Sequence, residues 1–215
     1  IQILNGERPA NTPAVRVDRR PGEAYRYSGG GMTVMELAMS EATGRPFAAL
    51  MDDLVLKPAG MTDNTFAQPL PEALKGRAAS GHLRSGAGVP GGSHVYPEQA
   101  AAGLWTTASD LARLGLAYVA AFQGRPGALI GPDLARESLR AEHGRGLGFG
   151  VEAPAEGAVI EHGGSNHGFK AHWFVYADGR GGAAILTNGD RGSDLIVEIE
   201  AALADVYGWD YGAQE

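Results

Sequence analysis

The chain contains no cysteine in its 215 residues. Disulfides, a thiolate nucleophile and cysteine metal ligands are thereby excluded, while the compartment stays open between cytoplasm and periplasm. No apolar run reaches the length a membrane-spanning helix needs. Basic clusters are also missing: the formal charge is -7, and a nucleic-acid surface is not expected from it. There is no internal repeat, and no serine is followed three residues later by a lysine. Residue 1 is isoleucine, without an initiator methionine or a signal-peptide pattern, so either the start was processed away or the chain is a piece of something longer.

What the chain does have is glycine, 33 residues of it, and a hydrophobic share of 44%. That composition fits one soluble globular domain with many turns. The densest chemistry lies in Glu161-His162-Gly163-Gly164-Ser165-Asn166-His167-Gly168. Two adjacent glycines leave backbone N–H groups accessible, a histidine precedes them, and Phe169 to Tyr176 then reads as a strand. Such a strand edge suits a developing oxyanion. The same residues also fit a glycine-rich turn before a hairpin.

A second candidate is Tyr27, at the mouth of the helix that Ser28-Gly29-Gly30-Gly31 opens. A phenol there feels partial positive charge, which favours its phenolate and proton acceptance. A tyrosine packed in the core with its hydroxyl satisfied is the competing reading. His162, His167 and His172 recur every five residues, which fits neither helical i, i+4 spacing nor one face of a strand. With no Asp/Glu ligand set beside them, no metal and no cofactor are expected. Ser165 is not a nucleophile elbow, because His167 stands where the second glycine would be.

In chain order, residues 1–26 read as extended and loop-like. A helix runs from the Ser28 region to Gly44, with Val34, Leu37, Ala38, Met35 and Met39 on its apolar side. The next helix starts with Pro46 in its first turn and has a core stripe of Phe47, Leu50, Met51 and Leu54. Residues 68–102 lose periodicity and form a long loop, expected to face substrate. Thr107-Ala108-Ser109-Asp110 is a capping box for an amphipathic helix through Phe122. A short helix follows over 132–139, then strands at 146–151 and from 159. A hairpin turns at Asp178-Gly179, and a last helix spans 193–207 with Ile196, Ile199, Leu203 and Val206 inward. Helices first and antiparallel strands after predict an α+β fold, an antiparallel sheet flanked by helices, with a helical and loop region at 1–145 and strands plus closing helix at 146–215.

Together these segments resemble the serine β-lactamase/penicillin-recognising hydrolase superfamily, in its class C-like branch of D-alanyl-D-alanine carboxypeptidases, D-aminopeptidases and esterases. Tyr25-Arg26-Tyr27-Ser28 followed by TGRPFAALMDDLVLKPAGM, then AAGLWTTASDLARL, then HGG before a hairpin and a C-terminal helix carry the likeness, from about Arg16 to Trp209. The resemblance implies a β-lactamase/transpeptidase-like fold whose nucleophile and base, a Ser-x-x-Lys helix, lie upstream of the tyrosine motif. This chain is then the C-terminal portion of one catalytic domain, inactive and unstable alone. Its partner is a missing N-terminal segment or a companion chain. By the same likeness Tyr27 is the phenolate that deprotonates the serine and passes the proton to the leaving group. His162 orients that network and binds the substrate anion, and the Ser165 N–H is half of an oxyanion hole. Gly29, Gly163, Gly164 and Asn166 are substrate-facing. Gly29 stands where the family often has asparagine, and His162 where it often has lysine. Both departures favour an ester, amide or small-peptide substrate over strong β-lactamase activity. A non-catalytic ligand-binding relative is the alternative.

Overall fold

The computed structural model describes residues 1–140, 145–152 and 157–211. A four-residue helix, α1 (Gln2–Asn5), interrupts the opening stretch that the sequence predicts to be extended and loop-like. α2 (Gly29–Thr43) begins where Ser28 leaves the extended region and its hydroxyl accepts the Gly31 N–H at 2.9 Å. It ends at Gly44, whose φ of 64° lets the chain turn away in the left-handed conformation. No residue of α2 is buried, and Val34 and Met35 on its apolar side are 48% and 41% exposed.

Pro46 is the N-cap of α3 (Phe47–Met51) rather than a first-turn residue, because its ψ of 138° is still extended. α3 then widens into a π turn over Asp52–Leu56. The wider turn shifts the helical phase, so Leu56 enters the core at 2% exposure and the predicted stripe member Leu54 is left 56% exposed. The long loop predicted at 68–102 contains two single helical turns, α4 (Glu72–Lys75) and α5 (Gln99–Ala102).

α6 (Ala108–Phe122) has the predicted cap, Thr107 Oγ1 accepting the Asp110 N–H at 3.2 Å. The reciprocal half of a capping box is absent, since the Asp110 carboxylate is spent elsewhere. α7 (Pro132–Ser138) follows. Strands β1 (Gly150–Glu152), β2 (Val159–Asn166), β3 (Phe169–Tyr176) and β4 (Gly182–Thr187) form one antiparallel sheet in sequence order. β1 is shorter than the predicted 146–151 strand: only Gly150 to Glu152 pair with β2. The hairpin between β2 and β3 turns at His167-Gly168, where Gly168 has φ 82°. α8 (Gly192–Tyr207) closes the chain. Ile196 points inward as expected, whereas Val206 is 72% exposed and Ala204 is the buried residue of that last turn.

The sheet is covered on both faces at one end. On the α6–α7 side Tyr118, Val119, Leu139, Ile160, Trp173 and Val175 form the main core. α6 comes close because residue 115 is glycine: a Cβ there would press on the Trp173 ring at 3.1 Å. On the other side Val159, Phe174 and Tyr176 pack with Trp209 and Tyr211. A third cluster of Leu56, Ala59 and Met61 joins α3 to α6. Among the described residues no helix is long and apolar enough to cross a membrane.

Candidate active site

β1 covers β2 only as far as Glu161. Beyond it, His162 to Asn166 pair with β3 on one side, and among the described residues no strand of the sheet lies on the other. The Ala177 N–H bonds the Ala158 carbonyl at 2.9 Å. From that pair the antiparallel alternation carries along the ladder, so Gly163 and Ser165 direct their N–H and C=O groups away from β3, to the open edge. The stretch is therefore strand, not a turn before one.

Packing does not demand Gly163, whereas Gly164 has little room for a side chain. A Cβ on Gly163 would come no closer than 3.7 Å to anything, at His172 Cδ2, and one on Gly164 no closer than 3.3 Å, at Ala171 Cβ. Bare backbone that the fold itself does not require marks a place where something else approaches closely.

A cleft of about 2110 Å³ runs along this edge. Tyr27, Ser28 and Gly29 line it together with His162, Gly163, Gly164, Ser165 and Asn166, so the two candidate motifs share one cavity although more than a hundred residues separate them. Tyr27 is 65% exposed, which removes the core-packing reading of this residue. Gly29 lies against Ala101, to which a Cβ would come within 3.7 Å. His162 Nδ1 lies 2.6 Å from the Gly163 carbonyl oxygen. A carbonyl can only accept, so Nδ1 carries a hydrogen and the neutral ring keeps its lone pair on Nε2. Asn166 is partly committed to the fold: its amide nitrogen donates to the Ala102 carbonyl at 2.9 Å, tying the open edge to α5.

The 68–102 segment lines the cleft and is fastened to the β2–β3 turn. The His167 N–H donates to the Tyr96 hydroxyl at 3.0 Å, and the His94 and His167 rings stack with centroids 4.6 Å apart. Glu36 on α2 accepts the Ala100 N–H at 2.9 Å and so joins α2 to α5. Burial pushes its carboxyl above the usual range, against the lowering effect of that bond. Asp190 accepts the Gly168 N–H at 2.8 Å, and that bond first, then Lys170, holds its carboxyl below the usual range.

Three polar groups take roles that the sequence did not reveal. Asp110, fully buried, accepts from the Thr62 and Asp63 N–H groups and the Asn64 amide at 2.9, 2.6 and 3.0 Å. Its Oδ1 takes Arg113 at 2.6 Å. Burial alone would raise the Asp110 pKa. The bonds from Asn64, Asp63, Arg113 and Thr62 outweigh it and hold the carboxyl below the usual range. The second is Arg145, 3.1 Å from Glu161. The third is His172, which sits between Glu161 and Glu200. No local sequence pattern announces any of them. The three regularly spaced histidines do not converge: His162 pairs across from Trp173 and His172 from Gly163, on opposite faces of the sheet, and His167 is in the turn.

Residues 7–206 match the model of the family described as Beta-lactamase. Among curated proteins the chain is similar to Esterase EstB of Burkholderia gladioli, 28% identical, over 72% of this chain and 47% of that protein. Among solved structures it is similar to the octameric penicillin-binding protein homologue from Pyrococcus abyssi. The TM-score is 0.70 at 19% identity, over 88% of this chain and 44% of the other. D-alanine carboxypeptidase AmpC from Burkholderia cenocepacia aligns with TM-score 0.67 at 21% identity, over 82% and 59% of the two chains. The chain thus spans about half the length of the curated relative it matches.

Proposed function

The chain belongs to the Beta-lactamase family, and from that premise we propose that the cleft is the active site of a serine hydrolase working through an acyl-enzyme. The observation that carries this reading is the open edge of β2. Gly163 and Ser165 aim backbone N–H groups into a cleft that also holds Tyr27, and packing does not explain the bareness of Gly163.

The nucleophile is a serine of a Ser-x-x-Lys helix outside these residues. Its Oγ bonds to the substrate carbonyl carbon while its proton passes by way of the Tyr27 phenolate to the leaving oxygen or nitrogen, whose bond to that carbon breaks. The oxyanion is held by the Ser165 N–H and the serine's own N–H. Water then cleaves the acyl-enzyme. His162 orients this network through the lone pair left on Nε2. The cleft exceeds the roughly 300–1,000 Å³ of ordinary small-molecule sites, so it has room for the nucleophile's helix as well as a substrate.

Gly29 brings no side-chain amide to a β-lactam or peptide, and His162 brings an imidazole rather than an ammonium. The substrate is accordingly a small ester, amide or peptide rather than a β-lactam.

The test is a fluorophosphonate probe with intact-mass readout on the full-length protein, paired with Tyr27→Phe. One adduct on a serine outside residues 1–215 and a fall in kcat for a p-nitrophenyl ester of about 100-fold or more are expected. An unlabelled full-length protein would make this a ligand-binding relative. Undiminished turnover by Tyr27→Phe would remove the tyrosine from the mechanism.

A further inference from the structure

We propose that His172 is held as an imidazolium bridging Glu161 and Glu200, and that this bridge positions the open edge of β2, making His172 a positioning residue for the reaction proposed above.

The bridge joins three elements, β3, α8 and β2, with Arg145 from the segment before β1. His172 lies on β3, with its side chain on the α8 face of the sheet. Its Nδ1 meets Glu200 Oε1 of α8, and its Nε2 meets Glu161 Oε2 of β2 at 3.3 Å. The other Glu161 oxygen meets Arg145, just before β1, at 3.1 Å. His172, Glu161 and Glu200 are each less than a fifth exposed. Room for the Glu161 carboxylate exists because residue 150, its partner on β1, is glycine: a Cβ there would collide with Oε1.

Protonation follows from this geometry. A neutral imidazole has one N–H, and here both nitrogens face carboxylate oxygens. With a single hydrogen, the remaining lone pair would oppose a carboxylate in a partly buried site. With two, Arg145 and His172 balance Glu161 and Glu200. The other groups facing the ring are Tyr211, nearly parallel with centroids 6.3 Å apart, and the Phe174 ring beside it. Burial first, and then the charges of Glu161, Glu152 and Glu200, keeps the Tyr211 phenol protonated well above the usual range. Lys170, two residues along β3 on the same face, is paired with Asp190. The setting raises the His172 pKa, first through the Glu200 bond and against the effect of burial, so the imidazolium persists above the usual histidine range.

Position gives the bridge its consequence. Glu161 is the last β2 residue that β1 holds, and His162 is the first of the open edge. The His172 ring also lies against Gly163, on the edge itself. Losing the second hydrogen sets a lone pair against one of two carboxylates that Arg145 alone must then balance. Separation of those groups frees the edge that carries the Ser165 oxyanion donor. A displacement of about 1 Å in such donors can cost 100-fold in rate.

The inference rests on the hydrolase reading for its catalytic meaning, so its test begins with a readout independent of turnover. In the full-length protein, two-bond ¹H–¹⁵N spectra should show both His172 nitrogens protonated at pH 7. The Gly163 and Ser165 amide signals should inflect with His172 as pH rises, an inflection absent in His172→Gln and retained in His162→Ala. Should His172→Gln fail to fold, Glu200→Gln keeps the ring and should move the inflection to lower pH. kcat/KM for a p-nitrophenyl ester should fall about tenfold or more through the same inflection. A singly protonated ring at pH 7, or amides that ignore the titration, would overturn the proposal. Amides that follow it in a protein that cleaves no ester would support the positioning role and count against the hydrolase reading.

Discussion

Replacing Asp110 tests how the helical half holds its wall of the cleft. Its carboxylate is the common acceptor for Thr62, Asp63 and Asn64, and those residues line the cavity beside Thr65, whose N–H and C=O bond those of Trp105 at 2.9 Å each. A hydrogen bond to a charged group is worth about 1.5–3 kcal/mol, and stripping one side from a buried charged arrangement costs about 3–5 kcal/mol in total. The Arg113 contribution is small, since its side chain is 49% exposed and water can replace the bond. Asp110→Ala should therefore lose about 3–4 kcal/mol, and Asp110→Asn about 2 kcal/mol, because the amide keeps one acceptor but turns a donor toward donors. A protein of 150–250 residues shifts by about 2–4 °C per kcal/mol and one about twice as long by roughly half that, so Asp110→Ala should melt about 3–8 °C lower in calorimetry of the full-length protein. The pH dependence has a definite sign. Because folding depresses the Asp110 pKa, its contribution is complete above the unfolded carboxylate value of about 3.9 and is lost as pH falls through the folded value. The gap between wild type and Asp110→Asn should thus stay constant from neutrality to about pH 5 and close below about pH 4. A loss under about 1 kcal/mol for Asp110→Ala would mean water satisfies those donors unaided, and the reasoning would fail.

Two substitutions separate packing from function along β2. Gly150→Ala must expel the Glu161 carboxylate, and should cost about 1–3 kcal/mol in denaturant unfolding; an unchanged midpoint would show that the carboxylate has another place to go. Gly163→Ala meets nothing nearer than 3.7 Å and does not need a left-handed backbone, so stability should hold or rise by about 0.4–1 kcal/mol. Its kcat/KM should nevertheless fall about tenfold or more, because the new methyl stands on the edge that substrate must approach; retained activity would move the substrate elsewhere.

Local signals carried a large part of the structure. Ser28 and Gly44 bound α2 as read from their residue types, Thr107 caps α6, and the hairpin turns at Asp178-Gly179, because each depends on a few neighbouring dihedrals and one or two hydrogen bonds. The π turn at 52–56 escaped notice: one extra residue in a turn changes which side chain meets the core without changing any propensity, hence Leu56 rather than Leu54. The Gly-Gly edge was readable as chemistry but not as geometry, since the shortness of β1 is what leaves it open.

By itself, the sequence determined the α+β order, the ends of α2 and the cap of α6, and the two motifs Tyr27-Ser28-Gly29 and His162-Gly163-Gly164. These follow from periodicity and residue type within short windows. Only the tertiary structure decided that these motifs line one cleft, that Asp110 gathers three donors from 46 to 48 residues away, and that His172 lies between carboxylates from two other elements. The reason is physical. Caps and turns form between residues the covalent chain already holds together, whereas a shared cavity or a bridge between strand and helix depends on how separate elements dock. Docking is set by the summed burial of many side chains, and no single stretch of sequence contains it.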